Sequence, residues 1–192
     1  MKWVDVAQPG PWCRCVVTGI VLALSGCAST PVPTGYTGPM ASLRDTVRLP
    51  EGKSCGDFFF LVEYNGKTMD NAVDASAKAN AGNGMIMGAA QDFSRAIPAQ
   101  KADFHIAGRT HCAAPIQEML GTVYLVDGHI EFTPEPDASY VIKGLLGPER
   151  SAVWIENGKT GLQTGDKLLV EGPAKAGFFG GKGKVVRLPP PQ

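Results

Sequence analysis

The sequence predicts a mostly β protein, an antiparallel β-sandwich with one short helix. Three observations predict it. Short apolar or alternating runs recur along the chain with turn-forming residues between them. The 192 residues include 24 Gly and 15 Pro, a composition that favours strands and turns over long helices. One Ala-rich segment, residues 70–81, differs and has helical character.

The first element is a strand over residues 57–64. It is rich in aromatic residues and apolar on both faces, which is typical of a central strand covered on both sides. Asn65-Gly66 follows and predicts a tight turn.

The helix is expected over residues 70–81. Asp70 is its expected N-cap, and the glycines that follow it end it. Helical spacing predicts that Met69, Val73 and Ala77 face the core.

Further strands are expected along the rest of the chain, and the last two can pair across the Gly-rich segment 172–183. Turns are expected at Asp127-Gly128, at the Pro-rich corner 134–137 and at Asn157-Gly158. The predicted strands are residues 85–88, 93–97, 102–112, 121–127, 129–133, 140–145, 151–156, 167–171 and 184–188.

Part of this β region resembles a known class of proteins. Residues 130–136, 140–144 and 152–156 are similar to small uncharacterised periplasmic lipoproteins with a transthyretin-like or immunoglobulin-like β-sandwich. The resemblance covers about forty residues. It implies a fold and a compartment and carries no active site.

The amino terminus has the pattern of a secretory signal. Lys2 and Arg14 precede an apolar run over residues 15–24, which is too short to span a bilayer as a helix. The residues Leu24-Ser25-Gly26-Cys27 resemble the lipobox of bacterial lipoproteins, although the part before the apolar run is unusually long. The resemblance implies cleavage before Cys27 and acylation of that cysteine. Ala28, where an Asp would retain the protein in the inner membrane, implies the outer membrane.

These patterns divide the chain into four segments. We expect a signal peptide over residues 1–26, a lipidated cysteine with a flexible tether over 27–42, the sandwich domain over 43–188 and a Pro-rich tail over 189–192. The alternative for the first segment is a soluble secreted protein in which Cys27 is an ordinary thiol.

The cysteines predict one disulfide. Cys13 and Cys15 would be lost with the signal and Cys27 would carry lipid, so Cys55 and Cys112 remain as a pair. In an oxidising compartment this pair is expected to form a disulfide worth about 4 kcal/mol. The alternative is two buried free thiols.

Charge and motifs exclude several classes of function. Lys plus Arg equals Asp plus Glu at 18 each, which argues against nucleic-acid binding. The sequence has no nucleophile elbow, zinc-protease helix motif, phosphate loop or dinucleotide fingerprint. We therefore expect no enzyme and no cofactor.

Metal ligation has weak support in the sequence. His105 and His111 share one face of a strand about 20 Å apart, too far for a common ion. They and His129 are interpreted as solvent-facing strand residues, so no histidine metal site is expected. Met85 and Met87 share a strand face and could bind Cu(I), although core packing is the favoured interpretation.

The functional hypothesis is a membrane-anchored envelope lipoprotein with a non-catalytic binding or accessory role, facing the periplasm. Phe178 and Phe179, flanked by glycines, are candidate contacts to a protein partner. The alternative hypothesis is a periplasmic protein that binds a small ligand or a metal such as copper.

Overall fold

The computed structural model describes residues 31–49, 54–82, 90–120, 123–176 and 183–191, and these ranges form a two-sheet sandwich. The elements are β1 Met40–Arg44, β2 Thr46–Arg48, β3 Cys55–Tyr64, β4 Lys67–Thr68, α1 Ala72–Ala79, β5 Ser94–Pro98, β6 Ala102–Cys112, α2 Pro115–Leu120, β7 Val123–Phe132, β8 Ser139–Leu145, β9 Arg150–Asn157, β10 Gln163–Glu171, β11 Lys175–Ala176 and β12 Val185–Leu188. The first sheet has the strand order β12-β10-β9-β8-β1-β5, and the second has the order β11-β7-β6-β3-β2, with β4 paired to β3.

The predicted fold class is confirmed: the protein is mostly β, with two packed sheets and the short helix α1. Two details differ from the expectation. Strand β1 pairs with β8 in parallel, whereas the other strand pairs among the described residues are antiparallel. A second helix of six residues, α2, lies between β6 and β7.

The main core lies between the two sheets, and a smaller cluster lies on the outer face of the second sheet. Strand β3 contributes side chains to both. Phe59 and Leu61 point into the space between the sheets, while Phe58 and Phe60 point outward under α1. All four side chains are buried. The prediction of a central strand covered on both sides is confirmed.

A buried ion pair marks the point where the chain passes from one sheet to the other. Asp45 stands between β1 of the first sheet and β2 of the second and is fully buried. Its carboxylate accepts hydrogen bonds from the backbone N–H groups of Leu61 (3.2 Å) and Ala72 (3.0 Å) and pairs with Arg95. This one side chain therefore links β1, β3, β5 and the start of α1.

Helix α1 is shorter than predicted, and two details of the prediction are wrong. The N-cap is Asn71 rather than Asp70, because the Asn71 side chain accepts from the Val73 and Asp74 N–H groups. Ala77 is exposed, and the buried helical residues are Ala72 and Ser76. Met69 is buried as predicted, but it precedes the helix.

The boundaries of other elements also correct the sequence analysis. Asp127-Gly128 is not a turn, since β7 runs through it without interruption. Residues 40–42, assigned to the tether, belong to β1. Asn65-Gly66 does form the turn between β3 and β4, with both residues at positive φ. The last strands pair as predicted, with β12 antiparallel to β10.

The predicted cysteine pair is joined in the structure. Cys55 and Cys112 are directly opposite in the register of β3 and β6, and their sulfur atoms form a disulfide. The bond links two neighbouring strands of the second sheet at the end where β3 begins.

Candidate functional site

The outer face of the second sheet carries a group of two imidazoles and three carboxylates. His105 on β6 lies directly opposite His129 on β7, and their rings stack with centroids 4.4 Å apart. Asp103, Asp127 and Glu63 surround the two rings. We call these five residues the histidine–carboxylate cluster.

Local structure explains why the two histidines meet. On β6, Phe104 and Ile106 point into the core, so alternation places His105 on the outer face. On β7, Ile130 points inward and places His129 outward in the same way. The antiparallel register then sets the two rings side by side.

A β-bulge in β3 adds Glu63 to the cluster. The β3–β6 register shifts between Leu61, which faces Ile106, and Glu63, which faces His105. If β3 alternated regularly through Val62, Glu63 would have the inward parity of Phe59 and Leu61. The bulge therefore re-aims this carboxylate toward the outer face.

The polar contacts leave one nitrogen of each ring available. His129 Nδ1 lies 2.7 Å from Asp103 Oδ2, and His105 Nε2 lies 3.4 Å from Asp127 Oδ2. His105 Nδ1 is buried and has no hydrogen-bond partner among the described residues, with Glu63 Oε2 3.9 Å away.

The cluster can offer three ligand atoms to one ion. One atom each from Glu63, His105 and His129 lies within 4.8 Å of the other two. Imidazole nitrogen combined with a carboxylate oxygen is a donor set that suits divalent transition metals. Within the described residues, this group and not the pair His105 and His111 brings possible ligands together.

The third histidine belongs to a different arrangement. His111 Nδ1 and Arg109 both contact the carboxylate of Glu118 on α2, which also accepts from the Cys112 N–H at 3.2 Å. Burial opposes the ionisation of Glu118, but the Cys112 N–H, His111 and Arg109 outweigh it and lower the pKa of its carboxyl. These contacts hold α2 against the end of β6.

A second surface feature is the edge strand β12. Val185, Val186 and Leu188 are each 39% exposed, and β12 pairs with β10 alone among the described strands. Leu188 lies opposite Lys167, whose Nζ is 4.5 Å from the centre of the Trp154 ring. We call Val186, Leu188, Lys167 and Trp154 the β12 surface.

The remaining predicted site residues lie outside the described part of the chain. They are Cys27, Met85, Met87, Phe178 and Phe179. Neither helix of the described ranges could span a bilayer, since a membrane-spanning helix needs roughly 20 apolar residues and α1 has eight residues and α2 six.

The sequence did not indicate the cluster, because His105 and His129 lie on different strands and only His105 and His111 share a strand. Each of the two histidines stands beside inward-facing apolar residues, a signal that both face outward. The register that places them side by side is a property of the β6–β7 pair, which the sequence did not predict. The bulge at Val62 left no sequence signal.

No protein-family model, curated protein or solved structure matches this chain.

Proposed function

We propose that the protein is a lipid-anchored lipoprotein of the bacterial cell envelope with a non-catalytic binding or accessory role. It would sit on the outer membrane, face the periplasm and contact another envelope protein. The observation that carries the proposal is the tetrapeptide Leu24-Ser25-Gly26-Cys27 at the end of an apolar run. Two or more acyl chains on Cys27 would give stable anchoring, which one chain alone does not.

The Cys55–Cys112 disulfide supports the same compartment. Disulfides persist in oxidising environments such as the periplasm and are rare in the reducing cytosol. A chain exported by its signal would meet those conditions.

The β12 surface supports a binding role. Strand β12 exposes three apolar side chains. It lies at the end of the first sheet, so one of its two edges is unpaired among the described strands. Such an edge can accept an added strand from a partner, and exposed apolar groups contribute contact area. We propose that the partner is an envelope protein that adds a strand beside β12. Phe178 and Phe179, just before β12 in sequence, remain predicted contacts.

Anchoring is tested by Cys27→Ala, with Cys15→Ala as the matched control. We expect the Cys27 variant to leave the membrane fraction for the soluble envelope fraction, because it has no acylation site. The Cys15 variant should stay membrane-bound, and its mature amino terminus should carry the lipid mass. Retention of the Cys27 variant in the membrane fraction would contradict lipid anchoring.

The partner surface is tested by photo-crosslinking in intact cells. A photoreactive residue at Val186 should give one discrete adduct, whereas the same residue at Lys159, in an exposed turn, should give none. The protein in the adduct is then purified, and Val186→Lys should weaken its binding at least tenfold because a charge replaces an apolar contact. Equal binding of the wild type and Val186→Lys would exclude this surface.

Small-ligand or copper binding through Met85 and Met87 stays a prediction, since both residues lie outside the described ranges.

A further inference from the structure

We propose that the histidine–carboxylate cluster binds one divalent transition-metal ion of the Zn²⁺ type. Its ligands would be a carboxylate oxygen of Glu63, Nδ1 of His105 and Nε2 of His129. These are the three residues that each bring a ligand atom within 4.8 Å of the others. This site is separate from Met85 and Met87 and does not depend on the lipid anchor or on the β12 surface.

The hydrogen bonds prepare both imidazoles as ligands. A carboxylate can only accept, so the 2.7 Å contact with Asp103 places the proton of neutral His129 on Nδ1. Its Nε2 then carries a free lone pair. A histidine that donates its other N–H to a carboxylate is the usual arrangement around protein-bound metals.

His105 presents the complementary atom. Its Nε2 is turned toward Asp127, and its Nδ1 is buried without a hydrogen-bond partner in the described part of the chain. Leaving a buried polar atom without a partner is unfavourable, because it loses its hydrogen bonds to water and gains none in the protein. A metal between this nitrogen and Glu63 would satisfy it.

The charge of the cluster also favours a cation. Glu63, Asp103 and Asp127 carry three negative charges around two imidazoles that are neutral when they bind metal. A divalent ion offsets most of this charge. The imidazole donors select transition metals over Mg²⁺, which prefers oxygen ligands.

Binding requires a small movement of one ring. Ligand atoms on a tetrahedral Zn²⁺ are roughly 3.3 Å apart, given bonds of about 2.0 Å, whereas here they lie within 4.8 Å. The lone pairs of two stacked rings lie in two nearly parallel planes and cannot both point at an ion between those planes, so one ring must turn. The His129 side chain is 47% exposed and can turn, while His105 at 19% is held in place. Three protein ligands leave a fourth position for water.

The test is zinc binding by the full chain, extracted in detergent and stripped with a chelator. Titration with zinc chloride, monitored by calorimetry, should show one ion bound per chain. Titration with magnesium chloride at the same concentration should show no binding. His129→Gln should lower zinc affinity at least tenfold, and Asp103→Asn should lower it about 10–100-fold. His111→Gln is the matched control and should leave the affinity unchanged, since His111 belongs to the Glu118 arrangement.

Two outcomes would overturn the proposal. One is the absence of stoichiometric zinc binding to wild-type protein that shows its full β-sheet circular dichroism. The other is zinc binding of equal affinity in His129→Gln and the wild type, which would place the ion elsewhere. Because the His129 side chain is about half exposed, its replacement should leave the fold intact, and the dichroism of the variant checks this.

Discussion

At the scale of single residues, Asp45 is the one charged residue that is buried among the residues the structure describes. It is completely buried, and Arg95, its partner, also contacts the face of the Phe93 ring at 4.9 Å. Burial raises the pKa of Asp45 to about 6, against the opposing attraction of Arg95 and the N–H groups of Leu61 and Ala72. Nothing local in the sequence marks this aspartate, because its burial follows from where the chain changes sheets.

This raised pKa predicts a specific pH dependence of stability. The folded state binds the Asp45 proton more tightly than the unfolded state, whose pKa is about 3.9. The contribution of Asp45 to the free energy of unfolding is therefore fully present below about pH 4 and is lost as the pH rises through 6. The loss is on the order of 3 kcal/mol, given about 1.4 kcal/mol per pKa unit.

The measurement is denaturant unfolding of the wild type and Asp45→Asn from pH 4 to pH 8. Asn does not titrate, so the wild-type minus variant difference isolates Asp45 and should fall with rising pH. Any constant cost of the lost hydrogen bonds shifts that difference without changing its slope. Asp137→Asn, in an exposed turn, is the control for replacing a carboxylate by an amide at the surface. A difference that rises with pH would mean that Arg95 outweighs burial.

At the scale of elements, the sequence predicted what depends on local pattern. Alternation identified β6 and the inward parity of Ile130 and Phe132, because an element with one buried face must alternate. The Asn65-Gly66 turn was predictable because its backbone needs positive φ at both residues.

Elements that depend on tertiary contacts were not predictable. Helix α1 has a local cap at Asn71, but its first residue, Ala72, is also buried and donates its N–H to Asp45, which is distant in sequence. Asp127-Gly128 has the composition of a turn but lies within β7, paired with β6 on one side. Helix α2 is held by contacts of Glu118 with β6, which no short window of sequence reveals.

The residues of the candidate site also separate into features that a local pattern predicts and features that depend on strand pairing. The outward direction of His105 and His129 followed from alternation, but their meeting required the β6–β7 register. Glu63 required the bulge, which is a property of the strand pair rather than of β3 alone. The cysteine pair was predictable because only two cysteines remain once the three of the amino-terminal segment are set aside.

At the scale of the whole molecule, one strand pair connects stability with the candidate metal site. Strands β3 and β6 begin their pairing at the Cys55–Cys112 disulfide and reach the Glu63–His105 pair near the other end. This pair also has core side chains on both faces, between the sheets and under α1. Loss of the disulfide should therefore lower the stability of the domain while the two faces keep the strands together.

We expect the double variant Cys55→Ala/Cys112→Ala to lose about 4 kcal/mol of unfolding free energy, because the bond closes a loop across a sequence separation of 57 residues. Denaturant unfolding measures the loss. Reductant should shift wild-type protein by a similar amount and leave the double variant unchanged. Zinc binding at the opposite end of β3–β6 should persist in the folded double variant. Two results together would contradict the bond. The two thiols of wild-type protein would react with an alkylating agent before reduction, and the wild type would be no more stable than the double variant.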